Sequence, residues 1–314
     1  MLPAALRGVK APHLDPRIAG RRSPPGGSAL TDGHALSILG PRREVSMPQD
    51  LRVPVLRNVD LDHGSFLVEF DAPEMVAPMR PAQFFMIGIP GGETLLRRPY
   101  SVCGLPGTFE DGTPGAAQVL YRVVGRGTAL LAALRSGAVL DVLGPLGNGF
   151  EIPATEGVVP VLVAGGIGAA PFPALVAALA AASPRPRMIY GARTSHDLPL
   201  ADWFARRTEL EVTTEDGSAG RRGRVTEPLE DLLASTHPRT IHVYVCGPDP
   251  MLRAVARLAA RYAVRCDLAL EAHMACGFGV CLGCVVPTHR AGSDFAYERV
   301  CVEGPVLEAG RLAW

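Results

Sequence analysis

Residues 271–305 read EAHMACGFGVCLGCVVPTHRAGSDFAYERVCVEGP and hold four of the seven cysteines of the chain, in the order Cys276-x4-Cys281-x2-Cys284-x16-Cys301. Three thiols within nine residues, among several glycines, can wrap around a small cluster, because glycine reaches positive φ and lets backbone N–H groups approach sulfur. A fourth thiolate from a separate segment completes the plant-type spacing for a [2Fe–2S] cluster. The spacing therefore predicts such a cluster on these four cysteines.

A structural zinc site, or a set of buried free thiols, is the alternative for this stretch. Structural zinc sites usually combine two C-x2-C pairs, whereas only Cys281 and Cys284 form such a pair here. The gap before Cys301 is shorter than that of a free-standing plant-type ferredoxin, which predicts a cut-down cluster domain. Because the apolar pieces around the gap leave little core, we expect bound metal to hold this end folded.

Composition and charge exclude several classes of protein. The chain has 314 residues, 47% of them hydrophobic, with 31 basic and 31 acidic side chains. We therefore expect an ordinary soluble protein of two or three domains, with no reason to bind nucleic acid. The longest apolar run, residues 158–182, is broken by glycine and proline, which argues against a membrane span of about 20 apolar residues.

The N-terminal residues 1–48 combine arginine with many prolines and glycines, and they contain no apolar region of signal-peptide length. Such a segment cannot bury enough surface to fold alone, so we predict a disordered extension. A natural start at Met47 is an alternative that stays open. With no secretion signal, and with cysteines spaced for a metal rather than for disulfides, the sequence predicts a cytoplasmic location.

Residues 49–153 have the pattern of a first domain made of short strands. Strand-like runs separated by glycine and proline turns lie at 66–70, 83–89, 100–102, 118–124 and 139–143. Several short strands with a single helical stretch, at residues 128–135, indicate a small β-barrel.

Two patches make this barrel a candidate flavin-binding domain. The first patch is Arg98, Pro99, Tyr100 and Ser101, and the second is Leu120, Tyr121, Arg122, Gly127 and Thr128. An arginine can pair with a pyrophosphate, a tyrosine ring can cover a flavin face, and a serine hydroxyl can reach a ring nitrogen. A helix that opens at the second patch favours phosphate at its N-terminus. An edge strand with a surface arginine is the alternative for the first patch.

Residues 154–265 have the pattern of a second, α/β domain. A buried strand at 158–164 runs into a glycine turn, and an alanine-rich helix follows to about residue 182. The glycines of the turn are Gly165, Gly166 and Gly168. A strand, a glycine turn and a helix can cradle phosphate, although Pro171 departs from the strict dinucleotide fingerprint, and a plain packing turn is the alternative. Further strands at 188–190, 210–213 and 241–245 alternate with helical stretches, which predicts an open parallel sheet.

The last strand predicted for that sheet ends at Cys246, Gly247 and Pro248. Ligands of open α/β sheets bind beyond the carboxyl ends of the strands, so this turn and the glycine turn can face one NAD-binding crevice. Cys246 is then expected to line the nicotinamide pocket, because no ordered His and Asn partners accompany it as a nucleophile. Residues 266–314 follow as the cluster domain.

In this order the motifs resemble those of the ferredoxin–NADP reductase superfamily, and most closely those of the electron-transfer subunits of two-component, NAD-dependent dihydroorotate dehydrogenases. The matching stretches are LRRPYS at 96–101, YRVVGRGT at 121–128, LGPLGNGF at 143–150, MACG at 274–277 and VCVEGPV at 300–306. The resemblance spans about residues 53–307. It implies that the two barrel patches hold FAD and that the four cysteines hold the [2Fe–2S] cluster.

The resemblance also implies an activity. A subunit of this family would be an oxidoreductase subunit without a catalytic acid or base of its own. It would take electrons from the FMN of a dihydroorotate dehydrogenase catalytic subunit, in a hetero-oligomer that serves pyrimidine biosynthesis, and pass them through [2Fe–2S] and FAD to NAD⁺. A reductase component of a sulfhydrogenase, an oxygenase or a ferredoxin–NADP oxidoreductase is the alternative. A related subunit of the last kind has Asp where this chain has Cys276, so four cysteines favour the dihydroorotate reading.

Overall fold

The computed structural model describes residues 47–91, 94–152, 157–180, 185–290 and 293–314. These residues belong to one compact unit of the chain. The predicted N-terminal extension lies outside the described residues, apart from its last two positions. No helix among the described residues has the length and apolar character needed to cross a membrane.

The first part of the chain forms an antiparallel sheet of six strands. These are β1 (Gln49–Asp60), β2 (Ser65–Asp71), β3 (Phe84–Gly88), β4 (Arg98–Ser101), β5 (Ala116–Arg122) and β6 (Val139–Leu146), in the order β4-β3-β6-β1-β2-β5. Just after β4, the N–H groups of Cys103 and Gly104 donate to the Gln118 carbonyl in β5. These bonds join the two edge strands and nearly close the sheet, which confirms the predicted barrel.

Two short helices accompany the barrel: α1 (Pro73–Val76) and α2 (Arg126–Ala133). Helix α2 begins two residues before the predicted start of the helix in this region. Apolar side chains of β1, β2, β3, β5 and β6 fill the barrel, and the largest of them that are fully buried are Phe70, Phe85 and Leu140.

The second part is a sheet flanked by helices. Its strands are β7 (Val159–Gly165), β8 (Arg187–Ala192), β9 (Glu209–Thr214), β10 (Arg221–Arg222), β11 (Ile241–Cys246) and β12 (Arg265–Ala269), which pair parallel with one another. Its helices are α3 (Phe172–Leu179), α4 (Ala201–Arg207), α5 (Thr226–Ser235) and α6 (Asp249–Arg261). The parallel α/β domain is confirmed. The sheet does not end at Cys246, as the sequence suggested, because β12 adds a further parallel strand beside β11.

The C-terminal part is small and joined to both other parts. A hairpin of β13 (Val285–Arg290) and β14 (Ser293–Arg299) is followed by β15 (Val306–Glu308), which pairs antiparallel with β12 at the edge of the large sheet. Val300 and Cys301 share one hydrophobic core with Phe84 and Met86 of the barrel. The same core contains residues of β7 and β11, so the C-terminal part is packed against both larger parts.

Asn148 fastens the C-terminal part to the barrel. Its amide Nδ2 donates to the carbonyls of Glu303 (2.8 Å) and Val306 (2.9 Å), and its Oδ1 accepts from the Val306 N–H (2.9 Å). The preceding Gly147 has φ +67°, and a β-carbon there would lie 2.8 Å from the Gly304 carbonyl oxygen. Only glycine fits this close approach without strain.

Candidate functional site

The first flavin patch forms an entire strand of the barrel. Arg98, Pro99, Tyr100 and Ser101 make up β4 and are all half-buried. Strand β4 pairs with β3 along its length, so that Pro99 lies opposite Met86 and Tyr100 opposite Phe85. The patch thus has a fixed backbone and partly accessible side chains, which a bound ring system needs.

Arg98 reaches across to the start of helix α2. A β-carbon at Gly127 would lie 2.6 Å from Arg98 Nε, so the guanidinium occupies space that only glycine leaves open. The Thr128 hydroxyl accepts from the N–H groups of Val124 (2.9 Å) and Gly125 (3.1 Å) and thereby fixes the turn before the helix. A cation beside a helix N-terminus makes an anion site, and this arrangement fits the pyrophosphate of FAD.

The two tyrosines of the flavin patches have different surroundings. Burial raises the pKa of Tyr100 to about 12, with the Arg98 charge opposing. The Tyr100 ring meets Tyr121 edge to face with centroids 6.1 Å apart. Tyr121 is only 2% exposed, and its hydroxyl donates to Asn58 Oδ1 at 3.1 Å. Tyr100 can therefore contact a flavin, whereas Tyr121 is buried in the core and packs against the Tyr100 ring.

The other residues of the second flavin patch also differ in exposure. Leu120 is buried in the core and does not reach the surface. Arg122 is half-buried and forms an ion pair with Asp197, which lies in a short 3₁₀ helix (Ser195–Asp197) of the α/β part. Asp197 could not be found from the sequence, because nothing near it in the chain marks it as the partner of a barrel residue.

The structure brings the two predicted nicotinamide turns together. Strands β7 and β11 are neighbours, with Ala164 opposite Cys246. A β-carbon at Gly168 would lie 2.6 Å from the Cys246 carbonyl oxygen and 2.6 Å from Gly247 Cα. A β-carbon at Gly165 would lie 2.9 Å from Pro248 Cδ. These glycines let the two turns touch and form one cradle beyond the strand ends, the place where open α/β sheets bind nucleotides.

Two buried side chains define the character of this crevice. The Tyr190 hydroxyl donates to the carbonyl oxygens of Gly166 (3.0 Å) and Pro199 (3.1 Å) and so supports the glycine turn. Cys246 is 4% exposed. Burial, with the charge of Glu271 adding to it, raises the pKa of the Cys246 thiol well above its usual value. A neutral, buried thiol is a wall residue and a poor nucleophile.

The cluster cysteines form two pairs, of which Cys276 and Cys281 are the more exposed. Burial opposes ionisation of the Cys276 thiol. Hydrogen bonds from the N–H groups of Cys281, Phe278 and Val280 and contact with the Cys281 side chain nevertheless lower its pKa to about 6. The loop thus favours the thiolate form that binds metal.

Cys284 and Cys301 form the second pair, and they are only 3% and 2% exposed. Burial raises the pKa of the Cys301 thiol to about 12, and its hydrogen bond with Cys284 adds to the rise. Thiols buried together lose their protons when a cation binds between them. Two thiols in each of two pairs suit a cluster of two irons held by four cysteines.

The described residues contain no group of three His, Cys, Asp or Glu side chains that could hold a single metal ion. The cluster loop, residues 276–284, is shaped by two glycines with positive φ, Gly277 at +80° and Gly279 at +90°. The Gly279 carbonyl accepts from Arg299 Nη1 at 3.2 Å, and Arg299 in turn pairs with Glu303. The sequence gives no sign of this role of Arg299 and Glu303, because they contact the backbone of the loop or each other.

Two protein-family models match this chain. The model described as "Iron-sulfur cluster binding domain of dihydroorotate dehydrogenase B" matches residues 271–313. The model described as "Oxidoreductase NAD-binding domain" matches residues 162–257. The predicted iron–sulfur and NAD-binding domains are thereby confirmed.

Known proteins give the same picture. The dihydroorotate dehydrogenase B (NAD(+)) electron transfer subunit of Bacillus caldolyticus is 39% identical over 244 residues, which are 76% of this chain and 89% of that protein. The subunit of the same name from Caldanaerobacter subterraneus subsp. tengcongensis is 38% identical over 73% of this chain and 85% of its own length.

Solved structures agree in fold. An NADH-dependent reduced ferredoxin-NADP oxidoreductase, described in connection with flavin-based electron bifurcation, matches with a TM-score of 0.70 and 29% identity over 83% of this chain and 90% of its own. A ferredoxin NADP+ reductase from Neisseria gonorrhoeae matches with a TM-score of 0.57 and 18% identity over 68% of this chain and 91% of its own, which shows the fold alone. From these matches and the geometry of its site, this chain belongs to the family of dihydroorotate dehydrogenase B (NAD(+)) electron transfer subunits.

Proposed function

We propose that this chain passes electrons from the FMN of a dihydroorotate dehydrogenase catalytic subunit, through a [2Fe–2S] cluster and FAD, to NAD⁺. Nicotinamide exchanges a hydride, a two-iron cluster exchanges single electrons, and a flavin exchanges both. The part of the protein is then to hold and orient the three groups, since none of its side chains is needed as an acid or base.

The single observation that carries this proposal is the position of Met86, between the flavin patch and the cluster loop. In strand β3 its backbone lies opposite Pro99 of the flavin patch, and neighbouring strands are about 4.8 Å apart. The Met86 side chain packs on the cluster loop, where a β-carbon at Gly277 would lie 2.9 Å from Met86 Sδ. Met86 therefore contacts both the flavin patch and the loop that carries the cluster cysteines, so a continuous path of packed atoms joins the two proposed cofactor sites.

The geometry supports the following residues as the binding sites of the three groups. FAD would be held by β4 and by the start of α2, with Arg98 on the pyrophosphate and Tyr100 against the ring. NAD⁺ would be held by the cradle of Gly165, Gly166, Gly168, Cys246, Gly247 and Pro248. The cluster would be held by Cys276, Cys281, Cys284 and Cys301.

Apolar side chains around the cluster loop support a partner that docks there. Phe278 is 52% exposed, Val280 74%, Leu282 60% and Val302 41%. A cavity of about 510 Å³ lies beside them, lined by Leu282, Val285, Tyr297, Arg299 and Glu303. Clustered apolar side chains at a protein surface mark interaction sites. We assign this surface to the FMN-containing catalytic subunit, because a docked partner would lie directly over the cluster.

Two finer assignments complete the proposal. The domains would be residues 49–153 for FAD, 154–270 for NAD and 271–314 for the cluster, with the last boundary placed after β12, which joins the large sheet. The protein would work in the cytoplasm, since its cluster requires reduced thiols rather than disulfides.

Reconstitution tests the proposed function. The chain is co-expressed with an FMN-containing dihydroorotate dehydrogenase catalytic subunit, and the complex is assayed for NAD⁺ reduction by dihydroorotate. We expect the two chains to elute together with FAD and iron and to reduce NAD⁺, whereas the catalytic subunit alone does not. A stable complex that contains all cofactors but leaves NAD⁺ unreduced would refute the proposal.

A further inference from the structure

Arg299 bonds to the backbone of the cluster loop. It is the last residue of β14 and lies two positions before Cys301. Its Nη1 donates to the Gly279 carbonyl at 3.2 Å. Gly279 has φ +90°, and a β-carbon there would lie 2.9 Å from Arg299 Nη1. Any side chain at position 279 would therefore push the guanidinium away from the loop.

The Gly279 carbonyl belongs to the same peptide group as the Val280 N–H, and in a trans peptide the two point in opposite directions. The Val280 N–H bonds to the Cys276 sulfur. One peptide group therefore lies between the Arg299 cation and a cluster sulfur. The N–H of Gly279 itself bonds to the Cys301 sulfur. Arg299 thus fixes a short stretch of backbone that donates to one cysteine of each pair.

Glu303 holds the guanidinium in this orientation. Its carboxylate accepts from Arg299 Nε at 3.1 Å, from Arg299 Nη2, and from the Arg299 backbone N–H at 2.7 Å. This fork uses Nε and Nη2 and leaves Nη1 for the loop, so the cation rather than the carboxylate contacts the loop. The bonds to Glu303 raise the pKa of Arg299, and the charges of Cys301 and Cys284 add to the rise. The cation and the cluster sulfurs therefore attract each other.

We propose that Arg299 is a positioning residue that raises the reduction potential of the [2Fe–2S] cluster. The inference rests on the cluster site assigned under the proposed function. Reduction adds negative charge, and the net charge around a cluster and the hydrogen bonds to its sulfurs set its potential. Hydrogen bonds in a chain polarise one another, so a cation on the Gly279 carbonyl makes the Val280 N–H a stronger donor to Cys276. Arg299 therefore favours the reduced form through its charge and through the donors that it holds.

This effect has a direction in the proposed electron path. A cluster with a higher potential accepts electrons more readily from the catalytic subunit and gives them up less readily to FAD. Removal of the Arg299 charge should therefore move the cluster toward its oxidised form. A residue that only fastened β14 to the loop would change stability and iron content but leave the potential of an intact cluster where it was.

An EPR-monitored redox titration of the full chain, loaded with FAD and iron and without a catalytic subunit, tests the inference. Arg299→Gln keeps an amide donor but loses the charge. We expect its reduction equilibrium to shift about tenfold toward the oxidised form, as for one hydrogen bond to a charged group, which lowers the potential by about 59 mV for a one-electron couple. Arg299→Lys keeps the charge but not the planar fork, so its shift should be smaller, about threefold.

Arg311 supplies the matched control, because its Nη2 bonds instead to Glu298 of the same hairpin. Arg311→Gln should keep the wild-type potential, and iron content is measured in every variant. A wild-type potential in Arg299→Gln would overturn the inference, and if that variant does not hold iron, a wild-type potential in Arg299→Lys would do so. An equal fall in Arg311→Gln, or loss of iron from both Arg299 variants, would also overturn it.

The titration separates this inference from the proposed function, since neither the catalytic subunit nor NAD⁺ takes part in it. A reconstituted complex that leaves NAD⁺ unreduced, while the potentials of the variants shift as expected, would refute the proposed electron path alone. A wild-type chain without the EPR signal of a reduced [2Fe–2S] cluster would refute both.

Discussion

Met86 and Gly277 pack against each other without room for a single added carbon. A β-carbon at Gly277 would lie 2.9 Å from Met86 Sδ and 3.3 Å from Leu146 Cδ1, and the glycine has φ +80°. The contact joins the cluster loop to the strand that pairs with the flavin patch.

Gly277→Ala tests this contact. The new methyl group would meet Met86, and alanine is strained at positive φ, so we expect the unfolding free energy to fall by about 1–3 kcal/mol and iron content to drop. Gly283→Ala is the control in the same loop, because its β-carbon would meet only Cys281 Sγ at an ordinary 3.5 Å. Equal iron content and equal stability in both variants would show that the contact with Met86 is unimportant.

Arg98→Ala tests the FAD seat. Loss of a charge-assisted bond to a pyrophosphate removes roughly 1.5–3 kcal/mol, so FAD affinity should fall about ten- to hundredfold. Arg97→Ala is the matched control, since the neighbouring Arg97 instead pairs with Asp50 at 2.7 Å. Fluorescence titration of apoprotein with FAD measures both. Unchanged affinity in the Arg98 variant would contradict a pyrophosphate role.

Asn148→Asp tests how the cluster end is fastened. The carboxylate keeps an acceptor for the Val306 N–H but cannot donate to the carbonyls of Glu303 and Val306. Two lost hydrogen bonds at a partly buried site should lower the unfolding free energy by about 1–3 kcal/mol. Denaturant titration followed by the visible absorbance of the cluster should show loss at lower concentration than in the wild type. A wild-type midpoint would mean that the C-terminal part is held by its core contacts alone.

Asp197→Asn tests the charged bridge to Arg122. The pKa of Asp197 is lowered in the folded protein, so its ionisation stabilises the fold above the unfolded-state pKa of about 3.9, and that stabilisation is lost as pH falls through the folded value. The variant should therefore be less stable than the wild type at pH 5 to 8 by a constant amount. The difference should shrink only near or below pH 4. A difference that already disappears between pH 7 and 5.5 would mean that another group is responsible.

The sequence predicted the motif-bearing elements well, because strand, glycine turn and cysteine spacing are local signals. It did not predict β1, a strand of 12 residues. Pro54 and several charged side chains interrupt its pattern, and much of it is exposed, so pairing with β2 and β6 rather than local preference makes it a strand. Strand β12 was likewise missed, because it is only five residues long and carries a charged residue, Asp267, at its centre. In the folded protein Asp267 is buried and bonded to His242 of β11 at 2.8 Å.

The supporting residues of the site could not be found from sequence for a related reason. Met86 lies in no motif, and the LGPLGNGF stretch that contains Asn148 gives no sign of what its amide contacts. Each residue matters because the fold brings residues from more than 150 positions away against it. The ion pair of Arg122 and Asp197 is a case in which the sequence pointed to one partner and not to the other. The sequence marked Arg122 as a flavin residue, but the partner that it contacts here, Asp197, becomes visible only when barrel and α/β parts are placed together.

The most direct test of the proposed electron path separates its two halves. Cys284→Ser removes one of the two buried thiols of the cluster, while the flavin and nicotinamide seats are untouched. Cys266→Ser serves as the control, since Cys266 is an equally buried thiol of β12 outside the loop. Stopped-flow reduction of the flavin by NADH is run beside dihydroorotate-driven NAD⁺ reduction in the reconstituted complex. The account predicts wild-type flavin reduction by NADH but no dihydroorotate-driven turnover in Cys284→Ser, and turnover at the wild-type rate in a variant shown to lack the cluster would contradict it.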